Sequence, residues 1–244
     1  MTVESPGKLV GTGRNADVYD VGSGRVLRRY RDGREPRHVA TEAEVMVRAR
    51  ASGVPVPEVF DVSGSDIVME RATGPTMLDA IVRRPWTVRA QAGLLARLHG
   101  LVHQVPLAGL EELALPTPFG TSAPAEGDVL LHRDLHPQNV ILTPGGPMII
   151  DWEGAAHGPA IADVAMTWVI IGFSDIPGPR WRAVAAGAVQ AALTRSFVQA
   201  AGPLDDAWRL TAIERRLADP NLLPSEAARL RKLVPGELPS DVSV

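Results

Sequence analysis

The densest chemical signal in the chain is the run His132-Arg133-Asp134-Leu135-His136-Pro137-Gln138-Asn139, followed at short distance by Ile149-Ile150-Asp151-Trp152. Between them, Val140-Ile141-Leu142 and Met148-Ile149-Ile150 flank the turn sequence Thr143-Pro144-Gly145-Gly146-Pro147, a pattern that predicts an antiparallel hairpin. In such a hairpin Asn139 enters the first strand where Asp151 leaves the second. An amide oxygen and a carboxylate then share one open end, a donor set suited to Mg²⁺, which prefers oxygen ligands and phosphate. Asp134 lies on the loop leading into that end, placed to accept a proton from an attacking hydroxyl. Phosphoryl transfer needs little more, because its catalysis is mainly positioning and charge neutralisation. A single aspartate would read more simply as a cap or a solvated acid. The ordered set does not reduce to that. For His132 and His136 a structural hydrogen-bonding role is favoured over proton transfer, since the reaction needs no histidine.

The elements that must position these residues fall into two stretches. From about Leu9 to Glu70 the rhythm is strand-rich: Leu9-Val10, Val18–Val21, Val26–Tyr30, Val59–Val62 and Ile67–Glu70, separated by glycine turns. A helix after Pro36 places Val39, Ala43, Met46 and Val47 at helical spacing, with Glu42 on the margin of that stripe. Gly53–Pro57 must be extended, because proline disfavours helix in the residue before it. Beyond the breaker Thr73-Gly74-Pro75 the chain turns helical, with Thr87–Val105, Ile161–Phe173, Trp181–Ala201, Asp206–Ala218 and Ser225–Leu233 as predicted helices. The segment Gly11-Thr12-Gly13-Arg14-Asn15-Ala16 precedes a strand, so it is not a dinucleotide-binding turn, and it lacks the Gly-Lys-Ser/Thr of a Walker loop. A strand–turn–strand hairpin closing over phosphates fits it better.

These motifs resemble the aminoglycoside phosphotransferase and choline kinase superfamily, whose signature is close to His-Gly-Asp-Leu-His-Pro-x-Asn followed by Ile-Asp-Trp or Ile-Asp-Phe. The resemblance runs from Gly11 to about Ala165 and fades afterwards. It implies an α+β, bilobal, protein-kinase-like fold: a small antiparallel-sheet lobe over residues 1–71 that binds nucleotide, and a helical lobe over 72–244 with the catalytic loop and substrate site. It also implies Asp134 as the catalytic base, Asn139 and Asp151 as magnesium ligands, and Asp163 as a brace for the catalytic loop. Gly11 and Gly13 would cover the phosphates, and Glu70 C=O and Ala72 N–H would read adenine at an interlobe hinge. ATP is the implied donor, with GTP not excluded. Two departures stand out: Arg133 replaces the usual glycine, and Arg28 stands where a phosphate-binding lysine is usual. Lys8 and Lys232 are the only lysines in the chain, so Arg28, paired with Glu42, is the expected phosphate-binding cation.

Composition narrows the reading. The 244 residues carry a formal net charge of -3, 45% hydrophobic and 22% charged residues, and no cysteine. Disulfides and thiol chemistry are excluded. No basic footprint for nucleic acid and no membrane span are expected, and a cytoplasmic location follows as an expectation. Only residues 152–162 separate Asp151 from Asp163, leaving no room for the long activation loop of a protein kinase. The expected substrate is a hydroxylated small molecule: an amino sugar, a choline-like amino alcohol or another metabolite. A catalytically dead nucleotide-binding regulator is the alternative, with Arg28 its one support. Glu153, Asp175, Asp205, Asp206 and Glu214, with Trp168 and Trp208, suggest that the substrate is cationic, held by carboxylates and aromatic faces.

Overall fold

The computed structural model describes residues 7–13, 15–31, 35–117, 127–175 and 180–234, so Arg14 of the glycine-rich segment lies outside the described residues. The first layer is an antiparallel sheet of β1 (Lys8–Thr12), β2 (Ala16–Gly22), β3 (Arg25–Tyr30), β4 (Val59–Ser63) and β5 (Asp66–Glu70), in the order β1-β2-β3-β5-β4. Ser23 and Gly24 join β2 to β3 with φ of 53° and 70°. Positive φ at both positions of a two-residue connection matches the twist of the strands it joins. At the β1–β2 turn, Gly13 N–H donates to Ala16 O at 2.8 Å.

Helix α1 (Pro36–Ala51) lies between β3 and β4 in the chain and starts with proline in its first turn, where a missing N–H costs nothing. Its buried residues include Val39, Glu42, Ala43, Val45, Met46 and Ala49, whereas Val47 is 45% exposed. The apolar face is therefore rotated from the one expected. Val45 and Ala49 extend it on the side away from Val47, and Glu42 moves from its margin to its middle. The extended segment after α1 buries Val54 and Val56, and Pro55 O accepts from Ile149 N at 2.7 Å.

The remaining chain contributes α2 (Met77–Arg83), α3 (Val88–Val102), β6 (Asp128–Leu131), β7 (Val140–Thr143), β8 (Gly146–Ile149), β9 (Ala156–Pro159), α4 (Ala160–Phe173), α5 (Arg180–Ala201), α6 (Asp206–Leu217) and α7 (Pro224–Arg231). Strands β7 and β8 form the expected hairpin, with Val140 opposite Ile149, and β6 pairs with β9. The hairpin is stitched to the chain leaving the sheet: Leu142 N donates to Pro75 O at 2.9 Å, and a Cβ on Gly74 would fall 2.1 Å from Leu142 O. Only glycine tolerates that approach. Helix α4 buries Ala162, Val164, Ala165, Val169, Ile170 and Ile171, apolar on most of its circumference as a central helix must be. One core runs continuously from Ala16 in β2 to Leu230 in α7. Among the described residues no helix is long and apolar enough to cross a membrane.

Candidate active site

The loop carrying Asp134 is held by its backbone. Asp163, in the first turn of α4 and without solvent exposure, accepts from His132 N at 3.1 Å and from Arg133 N at 2.6 Å. One turn further along α4, the Thr167 hydroxyl donates to Leu135 O at 2.8 Å. From α3, His103 Nε2 lies 3.1 Å and His99 Nδ1 3.4 Å from Asp163 Oδ2, and His99 Nε2 lies 3.0 Å from the Thr167 hydroxyl. Burial pushes the Asp163 carboxyl up, but His103 and His99 more than offset it and hold it well below the usual carboxylate range. Arg133, in this loop, has φ of 67°. This left-handed backbone is what glycine adopts freely, so the position's geometry suits the glycine of the resembling motif better than the arginine present.

His132 sits in the core with its ring 4.7 Å from that of Trp152, both fully buried. Its Nε2 faces Ile150 O at 3.1 Å and its Nδ1 accepts from Asp134 N at 3.4 Å, the pattern of a neutral ring with its proton on Nε2. Burial lowers the His132 pKa, against the opposing pull of Asp163 and Asp134.

Asp134, Asn139 and His136 form one cluster. Asn139 Nδ2 donates to Asp134 O at 2.8 Å and to Asp134 Oδ2 at 3.0 Å, while His136 Nε2 lies 3.5 Å from Asp134 Oδ1. Burial pushes the Asp134 carboxyl up, yet hydrogen bonding and charge from His136, with His132 and Asn139, leave it below its ordinary value. The group is an ionised acceptor. Because the Asn139 side-chain nitrogen faces Asp134, its Oδ1 is left for another partner. The Asn139 backbone O accepts from Ile150 N at 3.0 Å, so Asn139 and Asp151 leave the hairpin at the same end. An amide oxygen and a carboxylate there are hard donors that fit Mg²⁺.

Arg28 joins the sheet to this end. Its Nη1 lies 2.8 Å from Glu42 Oε1, its Nη2 2.6 Å from Asp151 Oδ1, and Glu153 Oε2 is 3.7 Å from Nη2. Glu42 is 2% exposed and also accepts from the Tyr30 hydroxyl. Burial works against the charge on Arg28, but Glu42 and Asp151 hold the guanidinium above its ordinary pKa. Burial likewise raises the Glu42 carboxyl, with Arg28 and Tyr30 pulling it back. From the β1–β2 turn, Asn15 Nδ2 donates to Glu153 Oε1 at 2.7 Å.

The phosphotransferase enzyme family matches residues 7–120 and 117–203. The chain belongs to that family. Its fold is similar to the amicoumacin kinase hAmiN in complex with AMP-PNP and Ca²⁺ (17% identity, TM-score 0.51, 92% of this chain and 85% of that one). It is similar to an aminoglycoside phosphotransferase APH(4)-Ia variant in ternary complex with AMP-PNP and hygromycin B (17%, TM-score 0.60, 88% and 87%). A Plasmodium vivax ethanolamine kinase is a third likeness (13%, TM-score 0.56, 92% and 81%). The fold is thus the expected α+β kinase-like one, a small antiparallel sheet with a larger helical part. A stretch of 107 residues is 35% identical to a probable bifunctional tRNA threonylcarbamoyladenosine biosynthesis protein of Methanoculleus marisnigri. That match takes in 38% of this chain and 20% of the relative, about a fifth of its length.

Other expected positions of this family member are dispersed. Gly11 lies in β1 opposite Val18, and Gly13 in the turn above. Glu70 ends β5, where its N–H donates to Glu58 O at 2.8 Å and its carboxylate lies 3.4 Å from Arg50. Among the described residues, Ala72 N–H makes no hydrogen bond. The acids expected to gather around a cationic substrate do not gather. Asp175 pairs with Arg229 at 2.6 Å, Asp205 caps α6 through Trp208 N, and Asp206 pairs with Arg209 at 3.1 Å. Glu214 faces solvent, and Glu153 is held by Asn15 beside Arg28. Trp168 has the Arg209 guanidinium over its ring at 5.8 Å. Asp206 finds an arginine one turn on and Asp175 one in α7, which is why a tally along the sequence overstates free negative charge. A cavity of about 370 Å³ between α4, α5 and α6 is bordered by Trp168, Phe173, Arg195 and Arg209, with no carboxylate. His99, His103 and Thr167 are the positioning residues that the sequence reading passes over. Their one signal is the four-residue spacing of two histidines at the C-terminal end of α3, His103 being the residue that caps it.

Proposed function

We propose that the protein transfers the γ-phosphoryl group of ATP, with GTP as a possible alternative donor, to a hydroxyl of a small molecule. The observation that carries this reading is the Asp134 carboxylate, ionised and fixed by Asn139 and His136, beside a hairpin end that presents Asn139 and Asp151. Asp134 would accept the hydroxyl proton. Arg28 would bind phosphate oxygens from β3, the Gly11–Gly13 turn would cover them, and Glu70 C=O with Ala72 N–H would hold adenine. Mg²⁺, held by Asn139 and Asp151, would neutralise phosphate charge. Residues 1–71 then form the nucleotide-binding lobe, and 72–244 supply the catalytic loop, the magnesium ligands and the acceptor site. A small acceptor is favoured over a protein because the chain from Asp151 to Asp163 is taken up by one short turn at Trp152–Gly154 and by β9.

Nucleotide consumption against amino sugars, choline-like amines and neutral hydroxylated metabolites tests the reading. Asp134→Asn is expected to lower turnover by roughly 10²-fold or more with nucleotide binding retained. Turnover within a few-fold of the parent would remove Asp134 from the mechanism. The 35% identity to the tRNA-modification relative supports a second reading, a phosphotransferase serving that modification. Added tRNA-modifying components that stimulate nucleotide consumption more than any small acceptor would favour it.

A further inference from the structure

Arg28 stands among three carboxylates, and the way its fork is shared has a chemical consequence. Nη1 is committed to Glu42, a carboxylate 2% exposed and held from its other side by the Tyr30 hydroxyl. Nη2 reaches Asp151 Oδ1 at 2.6 Å, with Glu153 Oε2 at 3.7 Å. A divalent cation at Asp151 would sit roughly 2.0–2.1 Å from a carboxylate oxygen for Mg²⁺. A cation held by either Asp151 oxygen would lie within a few ångströms of the guanidinium on Oδ1, where their like charges repel.

Resting on the phosphotransferase reading above, we infer that Arg28 makes divalent-cation binding at Asp151 conditional on the nucleotide. Cation and guanidinium compete for the charge of one carboxylate, and the phosphates relieve the competition by drawing Nη2 to themselves. Glu42 is the pivot. Because Nη1 keeps its buried partner, Nη2 can exchange Asp151 for a phosphate oxygen without moving the guanidinium away from α1. The rigid fork is what allows two partners to be held at fixed geometry, and a lysine ammonium lacks it. Glu153 extends the device to the β1–β2 turn, since the carboxylate facing Nη2 also receives Asn15 at 2.7 Å. A phosphate that draws Nη2 off Asp151 also draws it from Glu153, and the turn that covers the phosphates hangs on that same acid.

The probe is Mn²⁺, read by electron paramagnetic resonance of the free ion, with calorimetry for Mn²⁺·AMP-PNP. Arg28→Met is expected to bind free Mn²⁺ at least tenfold more tightly than the parent and Mn²⁺·AMP-PNP at least tenfold more weakly. Adding Asp151→Asn should abolish the gain. Arg28→Met leaves Glu42 buried without its cation, the Tyr30 hydroxyl remaining, so Arg28→Met with Glu42→Gln is measured beside it, removing both halves of the ion pair. Free Mn²⁺ affinity in these variants equal to or below the parent's, with Mn²⁺·AMP-PNP binding to the parent intact, overturns the inference alone. Failure of the parent to bind Mn²⁺·AMP-PNP overturns the nucleotide reading as well.

Discussion

His132 and Arg133 show how narrowly the residues beside Asp134 are constrained. The His132 ring gives Nε2–H to Ile150 O and takes Asp134 N–H at Nδ1, so a second proton would displace the bond to Asp134. Burial sets its folded pKa below the ordinary 6.5. A group with a depressed folded pKa contributes stability that is complete above its unfolded value and is lost as pH falls through the folded value. Urea midpoints are therefore expected to decline as pH drops below 6.5, with turnover falling only at the lower pH where the folded ring takes its proton, and His132→Gln should flatten the stability slope. An unchanged slope in the variant would assign the acid sensitivity elsewhere. At Arg133 the left-handed φ of 67° discriminates between substitutions. Arg133→Val should cost about 1–3 kcal/mol more than Arg133→Gly in denaturant titrations, because a β-branched residue is strained there and glycine is not. Equal costs would mean that the loop does not hold this conformation in solution.

Helix α4 acts as the rail on which the loop carrying Asp134 is mounted. Thr167 has one hydroxyl proton and gives it to Leu135 O, so His99 must be the donor in its contact with that hydroxyl. Thr167→Val removes both bonds with little change of shape. It should destabilise by about 1–3 kcal/mol, the cost of leaving buried polar groups without partners. It should also lower kcat with the nucleotide KM nearly unchanged, and Thr167→Ser should restore kcat. A fall in stability alone would make Thr167 purely structural.

The elements differ in how plainly the sequence announces them. The sheet strands are legible from their glycine turns, and the β7–β8 hairpin from two apolar runs around Thr143–Pro147. Strands β6 and β9 are four residues each and pair with one another across the catalytic loop, so neither carries a period of its own. Helix α2 is announced only by Thr76 and Asp79, which form a capping box over seven residues. Asp134, Asn139 and Asp151 could be placed because a hairpin is a local object. The brace formed by His99, His103 and Thr167 could not, since it exists only where side chains from α3 and its C-terminal end reach across to α4.

Across the whole molecule, the residues of the site come from the sheet, from α1, from the catalytic loop and from the chain after β8, around one continuous core. A ligand that engages them should stabilise the chain as a unit. Nucleotide with Mg²⁺ at about 100 times its dissociation constant adds ~2.7 kcal/mol. For a chain of this size that corresponds to a rise in thermal midpoint of roughly 5–10 °C. Asp134→Asn should keep the rise and Arg28→Met should lose most of it. Two separated transitions, only one of them shifted, would contradict a single cooperative core.

The Arg28–Asp151 contact spans 123 residues of chain, and this separation gives the protein a timetable. At synthesis rates of roughly 5–20 residues per second, Asp151 is added about 6–25 s after Arg28. During that interval the sheet has its cation and its buried acid but no hairpin end to face them. On the proposed phosphotransferase reading, competence to handle a phosphate therefore arrives in a single late step of biogenesis, after the strands that hold Arg28 have been made.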